Sequence, residues 1–502
     1  MARIFLSLIS ALFGTLAIAS IDCRPNGPVV PRPTDLANSQ VVTSALGDLT
    51  NLLQQAVDGD VKGSNLANSS FSVALISFSQ QDAAIPIWEF HHLSPANVNG
   101  TKNLDRDSQY LIGSVSKVFT DLVLLKSGID PDTPVREYLP SLEDGRISWR
   151  DITLKALGNN LAGTPAIYGF SEYYYIKEVF ELLGFPPLNN SEFPECGVIG
   201  LNSDCDAQGL LRGLLDSYPV SLPAQSPVYS SLGYSLLAIA LKEATGKNYT
   251  QLLDELDPST SLSASHGKSS APPNHPHVVD VYGKGGGSWG YLSQLNIIDE
   301  YGIAFVVLTA GAAEAMYPIS DAVLATVVPA VDEAARQQAE KYTGLFSGEA
   351  NGVVVNATVE LDSDSIVIRS LYRDGHDMLA GIQEIFKYAY GDMLGLRVET
   401  PRLFPTGIEE VMEVAAEGCD SAISAIREDW RLTWSDFTLL QEPGLPAANL
   451  STQTCLSWSG ADWVHYGKQP LDRFVFVRDK KTGDLLGFEA PFLRSGLLQK
   501  VN

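Results

Sequence analysis

The chain has 502 residues, 19% charged and 45% hydrophobic, with a formal net charge of −25. Its length points to two domains, and its composition excludes a disordered chain. The acidic balance argues against nucleic acid or an anionic membrane surface as partner.

Met1 to Ser20 reads as a secretory signal. Arg3 supplies the charged start, Ile4–Ile18 the apolar stretch, and Ala17-Ile18-Ala19 a small-residue cleavage site. An uncleaved anchor is the other reading, but the run is short for a span, and Asp22, Cys23 and Pro25 follow it. The expectation is a secreted chain with no membrane contact after cleavage. Export implies an oxidising compartment. The cysteines are Cys23, Cys196, Cys205, Cys419 and Cys455. We expect Cys196 with Cys205 and Cys419 with Cys455, although sequence does not fix connectivity. Sequons at Asn68, Asn99, Asn189, Asn248, Asn356 and Asn449 are candidate glycosylation sites in a secreted chain.

Val42, Ala45, Leu46, Leu49, Leu52, Leu53 and Ala56 keep helical spacing and predict a helix over 40–57. Phe71–Ser79 and Ile85–Phe90 read as strands. A short apolar run then stops at Gly113, and Ser114 and Lys117 follow one helical turn apart. Val118, Leu122 and Leu125 continue the helix toward Gly128. Asp130 to Pro140 is a Pro-punctuated loop, and Ile147–Leu157 carries a helical face. Tyr173, Tyr174 and Tyr175 cannot all face one core, so some must be exposed. Tyr229-Ser230-Ser231 runs into an apolar helix ending near Gly246. Residues 258–276 look like a linker. Val278–Tyr282 reads as a strand, Lys284–Gly290 as a Gly-rich turn, and Tyr291–Ile298 and Tyr301–Leu308 as two more strands before a helix over Ile319–Gln338. This is an α/β sandwich pattern. From Tyr342 short alternating strands take over, at Val353–Leu361, Ser365–Leu371, Leu394–Thr400, Arg431–Phe437, Phe474–Arg478 and Leu485–Phe488. Residues 21–341 therefore read as one domain and 342–502 as a β-rich second.

Three elements stand in order: S-x-x-K at Ser114–Lys117, Y-S-S at Tyr229–Ser231, and K-G-G at Lys284–Gly286. A serine hydroxyl is a weak nucleophile unaided. A desolvated lysine beside it can lower the cost of forming the alkoxide, and a tyrosine can relay the proton. Backbone N–H groups at Ser114 and near Gly287 can hold an oxyanion.

In this order the motifs resemble the serine β-lactamase/penicillin-binding-protein superfamily, nearest to class C β-lactamases and the secreted fungal β-lactamase-like proteins. The resemblance covers about residues 70–310. It rests on G-S-V-S-K, D-P-x-x-P-V-x-E-Y-L-P, P-V-Y-S-S-L-G-Y-S-L-L-A and V-V-D-V-Y-G-K-G-G-G-S-W-G-Y. It implies an antiparallel sheet sandwiched with helices, with a C-terminal β-domain. It implies Ser114 as acylated nucleophile, Lys117 as activator, Tyr229 as general base and Lys284 as an electrostatic contributor, with Ser231, Gly286 and Gly287 at the substrate. No cofactor or metal is expected.

The departures narrow the chemistry. Ser231 stands where the family usually has Asn, and Gly285 where it has a hydroxyl residue. Loss of that hydroxyl turns the expectation from penicillins to small esters, amides or lactones, by hydrolysis or by acyl transfer in small-molecule biosynthesis. The segment between Tyr229 and Lys284 is shorter than in relatives. That leaves an open cleft, an omitted exon or a catalytically silent binding scaffold as readings.

Other matches are bland. Ser265-His266-Gly267-Lys268 is a second S-x-x-K without helical pattern. Gly285–Gly290 spells G-x-G-x-x-G, but a strand follows where a dinucleotide site needs a helix. Lys481-Thr482-Gly483 reads as a hairpin turn. His266, His275 and His277 read as solvated loop histidines rather than metal ligands. Trp289 reads as either an acyl-pocket wall or a packed side chain.

Overall fold

The computed structural model describes residues 27–64, 66–82, 84–256, 277, 279–350, 352–386, 388, 400–415, 422–434 and 461–501. The expected signal segment, Cys23, Cys419, Cys455, Asn449, the linker and the Ser265 motif lie outside the described residues. So does the strand expected over Leu394–Thr400, apart from Thr400 itself.

Helix α1, Gln40–Asp58, starts where the Ser39 side chain accepts from the Val42 amide, and stops at Gly59, whose φ is +84°. Val42, Leu46, Leu49, Leu53 and Ala56 form its buried stripe, as the spacing predicts. That stripe packs on a five-stranded antiparallel sheet and on helix α6, Met316–Ala339. The sheet is built from β1 (Ser69–Ser77), β2 (Trp88–His92), β3 (Tyr282–Ser288), β4 (Tyr291–Ile298) and β5 (Ile303–Gly311), in the order β2-β1-β5-β4-β3. Phe71, Val73 and Leu75 alternate along β1 into the core between sheet and helices.

A second helical layer holds α2 (Ser116–Lys126), α3 (Leu154–Gly158), α4 (Ser231–Thr245) and α5 (Tyr249–Asp254). Its own core joins Val123 and Leu124 to Leu157, Leu236, Leu237 and Ala240. The α/β sandwich is therefore as expected.

Beyond α6 the chain turns to β structure. Strands β6 (Gly344–Ala350), β7 (Val353–Leu361), β8 (Ile366–Arg373), β9 (Pro401–Ala415), β10 (Ala422–Trp434), β11 (Arg473–Asp479), β12 (Leu485–Glu489) and β13 (Gln499–Val501) share a sheet in the order β12-β11-β10-β9-β8-β7-β6-β13. Tyr342 stands 5.5 Å from the Trp430 ring and 5.1 Å from Phe476. Their core runs without a break into that of α1 and α6.

Several expectations fail. The Gly-rich stretch is strand β3, not a turn; of the strand expected over Val278–Tyr282, Val278 lies outside the described residues, 279–281 are not strand, and β3 begins at Tyr282. Its glycines fit because β3 is the edge strand, in ladder with β4 on one side only. The turn is Trp289-Gly290, with Gly290 at φ +72°, so Trp289 sits 83% exposed at a hairpin tip rather than packed. His277 is buried, not solvated: its Nε2 lies 2.9 Å from Glu300 Oε1, and Tyr301 beside it donates to Asp332.

The readings of the Lys481 turn, of the exposed tyrosines and of the Cys196–Cys205 pair hold. Lys481-Thr482-Gly483 is a hairpin turn, its amides donating to the Asp479 carboxylate. Tyr173 and Tyr175 are exposed. Cys196 and Cys205 are disulfide-bonded. Asn68, Asn99, Asn189, Asn248 and Asn356 all lie at the surface. No described helix is long and apolar enough to cross a membrane.

Candidate active site

Ser114 stands in a tight 3-10 turn, Gly113–Val115, and α2 begins only at Ser116. Gly113 has φ +50°, and a Cβ there would meet the Gly287 carbonyl oxygen at 2.4 Å. A Cβ on Gly286 would meet the Ile112 carbonyl at 2.1 Å and the Ser114 nitrogen at 2.9 Å. Side-chain-free backbone on both partners thus lets β3 lie directly against the serine turn. Ser293 of β4 anchors that turn by donating to the Ile112 carbonyl at 2.7 Å.

Lys117 Nζ donates to Ser114 Oγ at 3.0 Å. The Tyr229 hydroxyl lies 2.6 Å from the same oxygen. Lys117 Nζ is also 5.2 Å from the Tyr229 ring centroid and 5.6 Å from that of Tyr234. Lys284 Nζ reaches 5.0 Å from the Tyr229 ring and donates to the Gly285 carbonyl at 2.6 Å. The shortened segment between Tyr229 and Lys284 does not keep them apart.

Tyr229 precedes α4 in extended chain, and its neighbours hold it. Ser230 is the N-cap: its Oγ accepts from the Gly233 amide at 2.8 Å and donates to the Pro165 carbonyl at 2.6 Å. Asn160, at φ +61°, accepts from the Val228 amide through its carbonyl and from the Ser230 amide through Oδ1. The order of motifs in the sequence does not single out Asn160. Its signal was an Asn-Asn pair, a residue type that tolerates left-handed backbone. Ser231 opens α4, half-buried, and its carbonyl accepts from Ser235. Gly285 faces Gln294, whose Oε1 would be 3.1 Å from an added Cβ.

Burial pushes the Tyr229 phenol up. The hydrogen bonds of Ser114 and Lys117, and the charges of Lys117 and Lys284, outweigh burial and pull it below the ordinary phenol value. Burial lowers Lys284, as does the charge of Lys117, against the opposing pull of Tyr229. A hydroxyl thus meets both an amine and an acidified phenol. Among the described residues no group of three or more His, Cys, Asp or Glu is arranged to hold a metal.

A fold of this kind with this site has known counterparts. Residues 87–256 match the "Beta-lactamase" family model, and residues 334–501 match a second, described as "Beta-lactamase-like-like, C-terminal domain". The "Beta-lactamase-like protein" of Arthroderma benhamiae is 34% identical, with 99% of each chain covered. That alignment spans 599 positions against 502 residues here, so the relative carries segments this chain lacks. A "Probable hydrolase" of Phoma sp. is 26% identical over 42% of this chain and 38% of its own. Another, of Cochliobolus lunatus, is 25% identical over 42% of this chain and 40% of its own. The chain belongs to the β-lactamase-like family of hydrolases.

Proposed function

We propose that the protein is a secreted serine hydrolase that acts on small esters, amides or lactones through an acyl-Ser114 intermediate. One observation carries this reading: Ser114 Oγ sits between Lys117 Nζ at 3.0 Å and the Tyr229 hydroxyl at 2.6 Å. Tyr229 takes the serine proton as Ser114 attacks the carbonyl, and returns it to the leaving group. The ammonium groups of Lys117 and Lys284 favour the phenolate that does this. Backbone amides of Ser114 and Gly287 receive the oxyanion, and the Gly113 and Gly286 contacts support that placement. Water then attacks the acyl carbonyl with Tyr229 as base. An alcohol or amine entering instead gives acyl transfer.

Ser231 and Gly285 favour esters, amides and lactones over penicillins, because the family's amide and hydroxyl are absent from those positions. The same two residues support a second reading, a binding scaffold without turnover. Residues 21–341 form the hydrolase domain in this account, and 342–502 the C-terminal β-rich domain. The test is hydrolysis of p-nitrophenyl acetate and butyrate by the wild type and by Ser114→Ala. Turnover lost in the variant supports the hydrolase. Equal rates in both, or no turnover by folded wild type, sink it in favour of the scaffold.

A further inference from the structure

One turn beyond Lys117 on α2, a carboxyl group sits where a nucleophile helix has no evident need of one. The Tyr234 hydroxyl lies 2.8 Å from Asp121 Oδ2 and also lies against the Gly158 carbonyl. Gly158 has no side chain to prevent this: a Cβ there would meet Asp121 Oδ1 at 2.6 Å. A phenol has one proton, and here it faces two acceptors. Both contacts are satisfied when Asp121 carries a proton and donates to Tyr234, which donates to Gly158. The other face of Tyr234 is also engaged, its ring centroid being 5.6 Å from Lys117 Nζ.

We propose that Asp121 is a positioning residue for Lys117, acting through the Tyr234 ring that it fixes beneath the ammonium group. This rests on the acyl-Ser114 reading. Burial pushes the Asp121 carboxyl up to about 7, with the Tyr234 hydrogen bond pulling the other way. The groups facing it are Tyr234 from α4, the Gly158 carbonyl from α3 and Tyr249 from α5, whose phenol is raised by burial first and by the Asp121 charge last. Lys117 lies on its own helix. Below pH 7 the protonated carboxyl completes the chain from Asp121 through Tyr234 to Gly158. Above it, the carboxylate partly cancels the cationic field that favours the Tyr229 phenolate.

The test is the second-order rate of Ser114 labelling by a fluorophosphonate from pH 5.5 to 9, with thermal midpoints, in wild type, Asp121→Ala, Asp121→Asn and Tyr234→Phe. Asp121→Ala loses about tenfold in rate, the scale of a partly desolvated cation–π contact. Asp121→Asn regains most of that loss, because its amide donates to Tyr234 as the protonated acid does. The ratio of wild type to Asp121→Asn falls as pH rises through about 7. Tyr234→Phe, which lacks the hydroxyl that Asp121 grips, slows as Asp121→Ala does. A flat ratio across pH overturns the proposal even if the Ala variant fails to fold, and so does an Asn variant as slow as Ala at an unchanged midpoint. If folded wild type is not labelled at all, the acyl-Ser114 reading itself falls, and that result is distinct from labelling that ignores Asp121.

Discussion

The Tyr229 hydroxyl lies 2.6 Å from Ser114 Oγ across 115 residues of sequence. No local regularity places it there. The contact follows from Ser230 capping α4 and from Asn160 gripping the chain on either side of Tyr229. If Tyr229 is the base, Tyr229→Phe lowers the acylation rate by about 10²–10⁴. Its thermal midpoint stays near that of the wild type, because the side chain is 47% exposed and supports no core. Stopped-flow ester hydrolysis beside a thermal melt checks this, and a loss below threefold removes Tyr229 from the mechanism.

Lys284 sets where on the pH scale the site works. Its charge is one of the influences that pull the Tyr229 phenol down against burial. If the Tyr229 phenolate is the base, rate rises as pH passes upward through the phenol's value. Removing the cation in Lys284→Met raises that value, and the rising limb of the pH–rate profile moves to higher pH. A limb that stays put, or moves lower, contradicts the assignment.

Gly113 and Gly286 hold the serine turn and the edge strand in contact. Gly113→Ala puts a side chain on left-handed backbone, which costs roughly 1–2 kcal/mol, before its overlap with Gly287 is counted. Gly286→Ala drives a methyl into the Ile112 carbonyl. Both variants lose activity by displacing β3. Gly113→Ala also unfolds at a lower urea concentration than wild type. An active, equally stable Gly113→Ala variant would show that the strand does not need this contact.

Arg402 ties the C-terminal sheet together, donating to Asp362 at 2.8 Å and to Asp364 at 2.9 Å. Burial raises the Asp362 carboxyl, but the bond to Arg402 and the amides of Ser365 and Asp364 outweigh it and hold the group below its usual range. A depressed folded value means stabilisation that is present above the unfolded value of about 3.9 and is lost as pH falls through the folded one. Arg402→Met costs about 1–3 kcal/mol at pH 7, the scale of a lost charge-assisted bond. It also flattens the loss of stability between about pH 4 and 2. Urea unfolding across that range decides the point, and parallel curves for both proteins would rule it out.

Most of the sandwich could be read from the chain, because burial writes itself as periodicity. The α1 stripe from Val42 to Ala56 and the run at Val353–Leu361 match their elements within a residue. Strand β3 could not be read that way. Its glycines have no side chains to alternate, and what makes it a strand is the ladder with β4. β6, the strand pair His465–Tyr466 with Gln469–Pro470, and the helix Met378–Phe386 do not show in the sequence; the first two are local hairpin strands whose residues, Gly344–Ala350 and His465–Pro470, carry no sustained apolar alternation. At the site, Ser114, Lys117, Tyr229 and Lys284 were named from motif order alone. Asn160, Ser293, Asp121 and Tyr234 were not, since each matters through long-range contacts that leave no mark on local sequence. His277 was misjudged for the same reason: its partner Glu300 lies 23 positions away.

The central claim is that Ser114 is acylated. Incubation of the wild-type protein with a fluorophosphonate, followed by proteolysis and mass spectrometry of the peptide containing Gly113–Lys117, tests it most directly. The account predicts one stoichiometric adduct, on Ser114 and not on Ser116, and absent from Ser114→Ala. An adduct that persists in Ser114→Ala, or folded wild-type protein that takes up no probe, would contradict it.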